Sequence, residues 1–209
     1  MKLKEIDKPL LEWFYQNQRN MPWRNHPSFY YVWVSEIMLQ QTRVDAVIPY
    51  FERFVEQLPT IESLAQADED VLLKLWEGLG YYNRVRNLQI AAKQIMEEYQ
   101  GTPPSSYDDL IKLKGIGEYT AGAILSIVYN QKKAAVDGNV LRVLSRVLGD
   151  SSDITLLTTK KRMKELIEQN MPDDARGFTQ SLMELGALIC MPNGKPKCES
   201  CPIRSFCKA

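Results

Sequence analysis

The chain has four cysteines, Cys190, Cys198, Cys201 and Cys207, and all fall within the last twenty of its 209 residues. Cys198 and Cys201 form a C-x-x-C pair. Seven residues separate Cys190 from that pair, and five separate the pair from Cys207. A structural zinc site more often uses two C-x-x-C pairs a dozen or more residues apart, and this loop is too compact for two. Four thiolates along one tight loop can wrap a single iron–sulfur cubane. The spacing therefore favours iron–sulfur ligation, with zinc and free thiols as the open alternatives. Pro192, Pro196 and Pro202 stiffen the loop. Lys195, Lys197 and Arg204 bring positive charge that can balance an anionic cluster or meet a phosphate.

Two carboxylates have settings suited to acid–base work. "YVWVSEIMLQQT" reads as one apolar helix with a single charge, Glu36, whose face is shared by Val32, Trp33, Leu39 and Gln40. Among such neighbours a carboxylate loses solvation and holds its proton more tightly, as a general acid near neutral pH requires. The plainer alternative is an exposed glutamate on an amphipathic helix. Gln40 and Gln41 end the pattern and could fill or read a base stack. In "AAVDGNVLRVLSRVL", Asp137 precedes a helix with Asn139 beside it. Capping alone explains an aspartate there. A carboxylate fixed at a helix start also stabilises positive charge developing on a sugar that is losing its base.

Two loops could face a polyanion. "LKGIGEYTAGAI" sets Gly115 and Gly117 between a short and a long helical run, beside Lys112 and Lys114. Glycines turn the chain sharply and expose N–H groups, and the following helix presents its positive end. Leu113 and Ile116 favour a helix-hairpin-helix over a plain turn. In "GLGYYNRVRN", Tyr81 and Tyr82 follow two glycines and precede Arg84 and Arg86. An exposed tyrosine can wedge between bases while the arginines meet phosphates. Tyr82 is expected in the core.

The elements that carry these residues are helices. Apolar residues recur every three and four positions through 6–18, 31–43, 46–57, 69–77, 82–99, 118–129, 139–148, 159–170 and 176–189. The one strand-like stretch, "KKAAV", is short. An all-α fold in two helical lobes is predicted. Composition is that of a globular protein, 44% hydrophobic and 25% charged. Lys plus Arg equals Asp plus Glu at 26 each, so bulk charge does not point to a nucleic acid. Basic residues do cluster locally, as at Arg142 with Arg146 and at 160–162. A single histidine, His26, excludes a multi-histidine metal site. No apolar run is long enough for a bilayer, and the N-terminal stretch lacks a signal peptide's apolar core. A soluble cytoplasmic protein is expected, with no membrane partner.

Taken together, "MPWR", "SEIMLQQTRV", "VIPYFERF", "WEGLGYYNRVRNL", "LKGIGEYTAGAILS", "AVDGNVLRVLSR", "LGALIC" and the cysteine loop resemble the MutY-type adenine DNA glycosylases of the helix-hairpin-helix superfamily. Endonuclease III is similar in architecture. The likeness covers essentially the whole chain. It implies a barrel domain at 30–131 with the hairpin, and a second helical domain from 1–29 and 132–209 with the cluster. It implies a monomeric bacterial enzyme, associated with the nucleoid through double-stranded DNA holding A:8-oxoguanine or A:G mispairs. Glu36 matches the acid that protonates adenine at N7. Asp137 matches the carboxylate that stabilises the oxocarbenium ion, and Asn139 its helper. Tyr119 stands where endonuclease III has its lysine nucleophile. Gln180 matches a contact to the flipped adenine, and Arg24 is placed in the same pocket. Gln41 and Tyr81 match the intercalating groups, and the four cysteines match the ligands of a 4Fe-4S cluster. The family usually has six residues between its first two cysteines, so the seven here predict a local bulge. MutY-type enzymes usually continue into a second domain that helps recognise 8-oxoguanine. This chain stops after the cysteine loop, so a weaker lesion preference is expected. Mismatch-thymine or oxidised-pyrimidine removal on the same scaffold, or a non-catalytic iron–sulfur DNA-binding protein, are the competing readings.

Overall fold

A computed structural model describes residues 3–209; residues 1 and 2, the start of the expected 1–29 segment, lie outside the described residues. Those described form twelve α-helices and three short 3₁₀ turns, with no strand among them. In chain order the helices are α1 (Asp7–Asn17), α2 (Pro22–Asn25), α3 (Phe29–Leu39), α4 (Val44–Gln57), α5 (Ile61–Gln66), α6 (Glu69–Trp76), α7 (Asn83–Glu98), α8 (Tyr107–Leu110), α9 (Glu118–Ile127), α10 (Gly138–Leu148), α11 (Leu157–Asn170) and α12 (Ala175–Leu188). Each of the nine periodic runs is a helix. The strand-like "KKAAV" lies in loop without strand pairing. The additional helices, α2, α5 and α8, are too short for a 3.6-residue period to register. Local chemistry makes them instead. Pro22 opens α2. Thr60 and Ser63 close a reciprocal capping box on α5, with 3.0 Å from each backbone N–H to the other's hydroxyl. The Ser106 hydroxyl accepts the Asp109 N–H at the start of α8.

The chain divides into two compact units, Asn20–Ile124 and Met1–Arg19 with Leu125–Ala209. The first is built around α3, which is buried at nine of its eleven positions. A helix apolar on every side belongs at the centre of a bundle. Trp33 of α3 is fully buried, as are Phe51, Phe54 and Trp76 in the same unit. Phe54 and Trp76 meet edge to face, as do Trp23 and Phe51. Full burial of each such side chain stabilises by about 1.5–3 kcal/mol.

The second unit packs α1, α10, α11 and α12 around Leu10, Val143, Leu144, Met163, Phe178 and Leu182. The buried carboxylate of Glu184 receives three N–H groups from Arg19. The backbone N–H and Nε reach Oε1 at 2.9 and 2.8 Å, and Nη2 reaches Oε2 at 3.0 Å. This two-pronged pair joins the segment after α1 to the middle of α12.

Asp7 is less well provided for. Its Oδ1 is buried with no hydrogen-bond partner. Burial pushes its carboxyl up to about 6, against the opposing pull of Lys4. An acid whose pKa rises on folding binds its proton more tightly in the native state. Its contribution to stability is therefore greatest below about pH 4 and is lost as pH rises through about 6. Asp7→Asn should stabilise the protein at pH 8, by about 1 kcal/mol after allowance for partial solvent screening. Denaturant melts should show the gain vanish at pH 4. An unchanged midpoint at pH 8 would refute this account of Asp7.

Candidate functional site

Glu36 sits one turn from the end of α3, 8% exposed and flanked by the fully buried Val34, Ser35 and Met38. It is buried, as the apolar pattern around it required. The expected helix over 31–43 stops at Leu39, however. Gln40 is half-buried, while Gln41 is exposed with φ 58°, a left-handed conformation that non-glycine residues rarely adopt. The "GLGYY" turn does the same at Tyr81, φ 51° and 66% exposed. Tyr82 is 38% exposed and lines a shallow recess with Asp70, Lys74 and Arg86. The expectation that Tyr82 is core is therefore incorrect, because it begins α7 on that helix's outer side.

The Arg84 guanidinium lies between these two turns. Its Nη1 donates to the carbonyls of Ile37, Met38 and Gln40 at 3.0, 3.0 and 2.7 Å. Its Nη2 donates to those of Leu79 and Gly80 at 3.0 and 3.2 Å. The expectation that Arg84 meets a phosphate is thus corrected. Arg86, two residues on and facing away, pairs at the surface with Glu69 at 2.7 Å.

The hairpin forms between α8 and α9. Leu113 and Ile116 are buried, and Gly117 is exposed in open space. Gly115 has φ 81°, and a Cβ there would stand 2.9 Å from Asn87 Cβ, so only glycine fits. The Lys114 N–H is held by Gln94 Oε1 at 2.8 Å, which leaves its exposed ammonium as the group able to meet an anion. Arg84, Asn87 and Gln94 lie within about 80° of one another around α7. One helix thus supports both turns and the hairpin. Tyr119, half-buried, lies in the first turn of α9, and Arg24, half-buried, lies on α2.

In the other unit Asp137 caps α10. Its Oδ1 accepts the Val140 N–H at 2.7 Å and its Oδ2 accepts Asn139 Nδ2 at 2.8 Å. The capping expectation holds, and Asn139 adds a second donor. Arg142 continues the chain of contacts. Its Nη2 reaches Asn139 Oδ1 at 2.8 Å and the Gly186 carbonyl at 2.9 Å, and its Nε reaches the Cys190 carbonyl at 2.9 Å. One turn later, Arg146 Nη1 donates to Cys190 Sγ at 3.2 Å and to the Met191 carbonyl at 3.0 Å. Sequence reasoning noted Arg142 and Arg146 only as a basic pair. Their i, i+4 spacing was the signal that they share a face. Gln180, half-buried on α12, makes a long 3.4 Å contact to the Arg176 carbonyl.

The four thiols are unbonded. Cys190, Cys201 and Cys207 pack against the edge of the unit's core, and Cys198 is exposed. The seven-residue loop turns at Gly194, φ 75°, and closes where the Lys197 N–H meets the Ile189 carbonyl at 3.0 Å. Burial pushes the Cys201 thiol up, opposed by a hydrogen bond from the Ile203 backbone, and the other three sulfurs are near enough to act on it electrostatically. Among the described residues no three His, Cys, Asp or Glu groups are arranged to hold a single ion.

Residues 34–169 match the HhH-GPD superfamily of base excision DNA repair proteins. The chain belongs to this superfamily. It is 45% identical over 202 residues to the adenine DNA glycosylase of Buchnera aphidicola (Schizaphis graminum), covering 96% of this chain and 58% of the relative. It is 44% identical over 211 residues to the Mus musculus adenine DNA glycosylase, covering 96% and 41%. The chain thus spans about half the length of the curated relatives it matches. A solved thermostable thymine-DNA glycosylase superposes with a TM-score of 0.88 at 27% identity, covering 98% of this chain and 95% of that one. The all-α helix-hairpin-helix glycosylase fold is the one expected.

Gly186 lets α10 approach α12, since a Cβ there would stand 2.6 Å from Asn139 Cβ and 3.2 Å from its Cα. Gly186→Ala should therefore displace the first turn of α10 and cost about 1–3 kcal/mol in chemical denaturation. A midpoint equal to wild type would show that this approach is not tight.

Proposed function

We propose that this chain is the glycosylase region of a MutY-type enzyme that removes adenine mispaired with 8-oxoguanine or guanine by hydrolysing its N-glycosidic bond. The observation that carries this reading is the 45% identity, over 96% of the chain, to an adenine DNA glycosylase. Glu36 donates the proton to N7 that makes adenine a neutral leaving group. Its burial in α3 supports that role, because a dry acid is kept from trading its proton with solvent. Asp137 stabilises the oxocarbenium ion as the bond breaks, and water completes the reaction. The donors from Val140 and Asn139 fix its orientation. Tyr119 has no amine and forms no Schiff base, so the strand is left abasic and intact. Gln180 and Arg24 bind the flipped adenine. Gln40, Gln41 and Tyr81 occupy the gap it leaves, and the hairpin at Lys114, Gly115 and Gly117 takes a phosphate. The enzyme acts as a monomer on duplex DNA, in the bacterial cytoplasm and nucleoid, with affinity that falls steeply with salt. Among the described residues no helix is long and apolar enough to cross a membrane.

Cys190, Cys198, Cys201 and Cys207 hold a 4Fe-4S cluster. Four thiols along one short loop, three of them near enough to act on Cys201, fit a multi-iron centre better than a zinc site built from two separated C-x-x-C pairs. The N–H groups of Arg146 and Ile203 directed at two of the sulfurs suit ligating thiolates. When bound, the cluster cross-links the loop and supplies no redox step to base removal. Protein purified without air should be brown and contain about four irons per chain. A colourless protein with one tightly held zinc would overturn this assignment.

The likeness to a thymine-DNA glycosylase at a TM-score of 0.88 and 27% identity favours a second reading, thymine removal from G·T mismatches. Single-turnover assays on duplexes with A opposite 8-oxoguanine, A opposite G, T opposite G, and thymine glycol separate the two. Adenine should leave the first two duplexes, with strand cleavage only after alkali. Glu36→Gln should slow this by about 10²–10⁴-fold while duplex affinity is retained. Thymine release with adenine untouched would transfer the assignment to the second reading.

A further inference from the structure

Arg84 occupies an unusual position. It stands in the first turn of α7, where a cation opposes that helix's own dipole. No carboxylate pairs with it among the described residues. Its charge is met by the carbonyls at the negative end of α3 and by those of the turn after α6. Burial pulls its pKa down from the arginine range. The Trp76 ring lies 5.4 Å from its guanidinium carbon, and Trp76 Nε1 donates to the Gly80 carbonyl at 3.1 Å. The Tyr81 ring lies 5.6 Å from the same carbon.

The carbonyls held by this one planar group belong to two turns far apart in sequence. Each turn presents an exposed side chain from a left-handed residue, Gln41 in one and Tyr81 in the other. A non-glycine residue stays in that conformation only where its surroundings over-determine it. A single guanidinium bonded to both turns provides that constraint.

We propose that Arg84 is a positioning residue that locks the Gln40–Gln41 and Gly80–Tyr81 turns into one rigid wedge, so that the two side chains enter the base stack together. This rests on reading the chain as a base-flipping glycosylase. Lysine keeps the charge but offers donors from a single point and cannot fork between two turns.

The test is a double-mutant cycle on the full chain. The probe is a duplex with 2-aminopurine at the target position opposite guanine, and the readout is the amplitude of its fluorescence rise on binding. Gln41→Ala, Tyr81→Ala and the double variant are compared in the wild-type and Arg84→Lys backgrounds, beside affinity for undamaged duplex. In the wild-type background the combined loss should fall short of the product of the single losses by about threefold or more. In the Arg84→Lys background the losses should multiply, with affinity for undamaged duplex held within about twofold. Losses that multiply in the wild-type background overturn the proposal even if the lysine variant fails to fold. Coupling that survives Arg84→Lys also overturns it and leaves Arg84 a purely structural role. Adenine excision from an A:G duplex is scored on the same wild-type protein. Coupling without excision would refute the adenine reading alone, and excision without coupling would refute the wedge alone. No 2-aminopurine signal and no excision from wild type would sink both.

Discussion

Every α-helix ends with carbonyls that its own backbone cannot satisfy. A fold made only of helices has many such ends, and those that finish away from water need a donor from elsewhere. In this protein arginine supplies it at the places that matter most. Arg84 closes the end of α3, the helix that carries Glu36. Arg176 closes α9 through the Ile127 and Val128 carbonyls. Arg142 and Arg146 close α12 at Gly186, Cys190 and Met191. Each is a planar fork with several donors, so one side chain can hold a helix end and the loop beyond it.

This use of arginine changes the meaning of the balanced formal charge. Several cations are directed at main-chain oxygen inside the units, while Lys114, Lys195, Lys197 and Arg204 stay exposed on loops. The positive field available to a polyanion is therefore local, set by a few loops, and does not follow from the total.

Much of the fold was legible because apolar periodicity is a strong signal over ten or more residues. Glu36 could be placed in a dry environment because "YVWVSEIML" leaves a helix no polar face. The cysteine loop, and Asp137 as a helix cap, could be found by residue type and spacing alone. The arginines were harder. Arg84 and Arg86 look alike in "NRVRN", yet two residues on a helix differ by about 200° in direction, so both cannot face DNA. Which one turns inward depends on carbonyls more than forty residues away. The same holds for Arg142 and Cys190, 48 residues apart. Tyr82 was misjudged because an aromatic pair does not say which ring faces the core.

The pairing of Arg19 with Glu184 spans 165 positions of the chain. Asn20–Ile124, by contrast, is continuous in sequence. On a ribosome adding about 5–20 residues per second, roughly ten to thirty seconds separate the synthesis of Arg19 from that of its acceptor. During that interval the apolar side of α1, with Leu10 and Phe14, lacks the α12 surface it will cover. Helix α1 is thus made well before the surface it covers, and it docks only once α12 has been made.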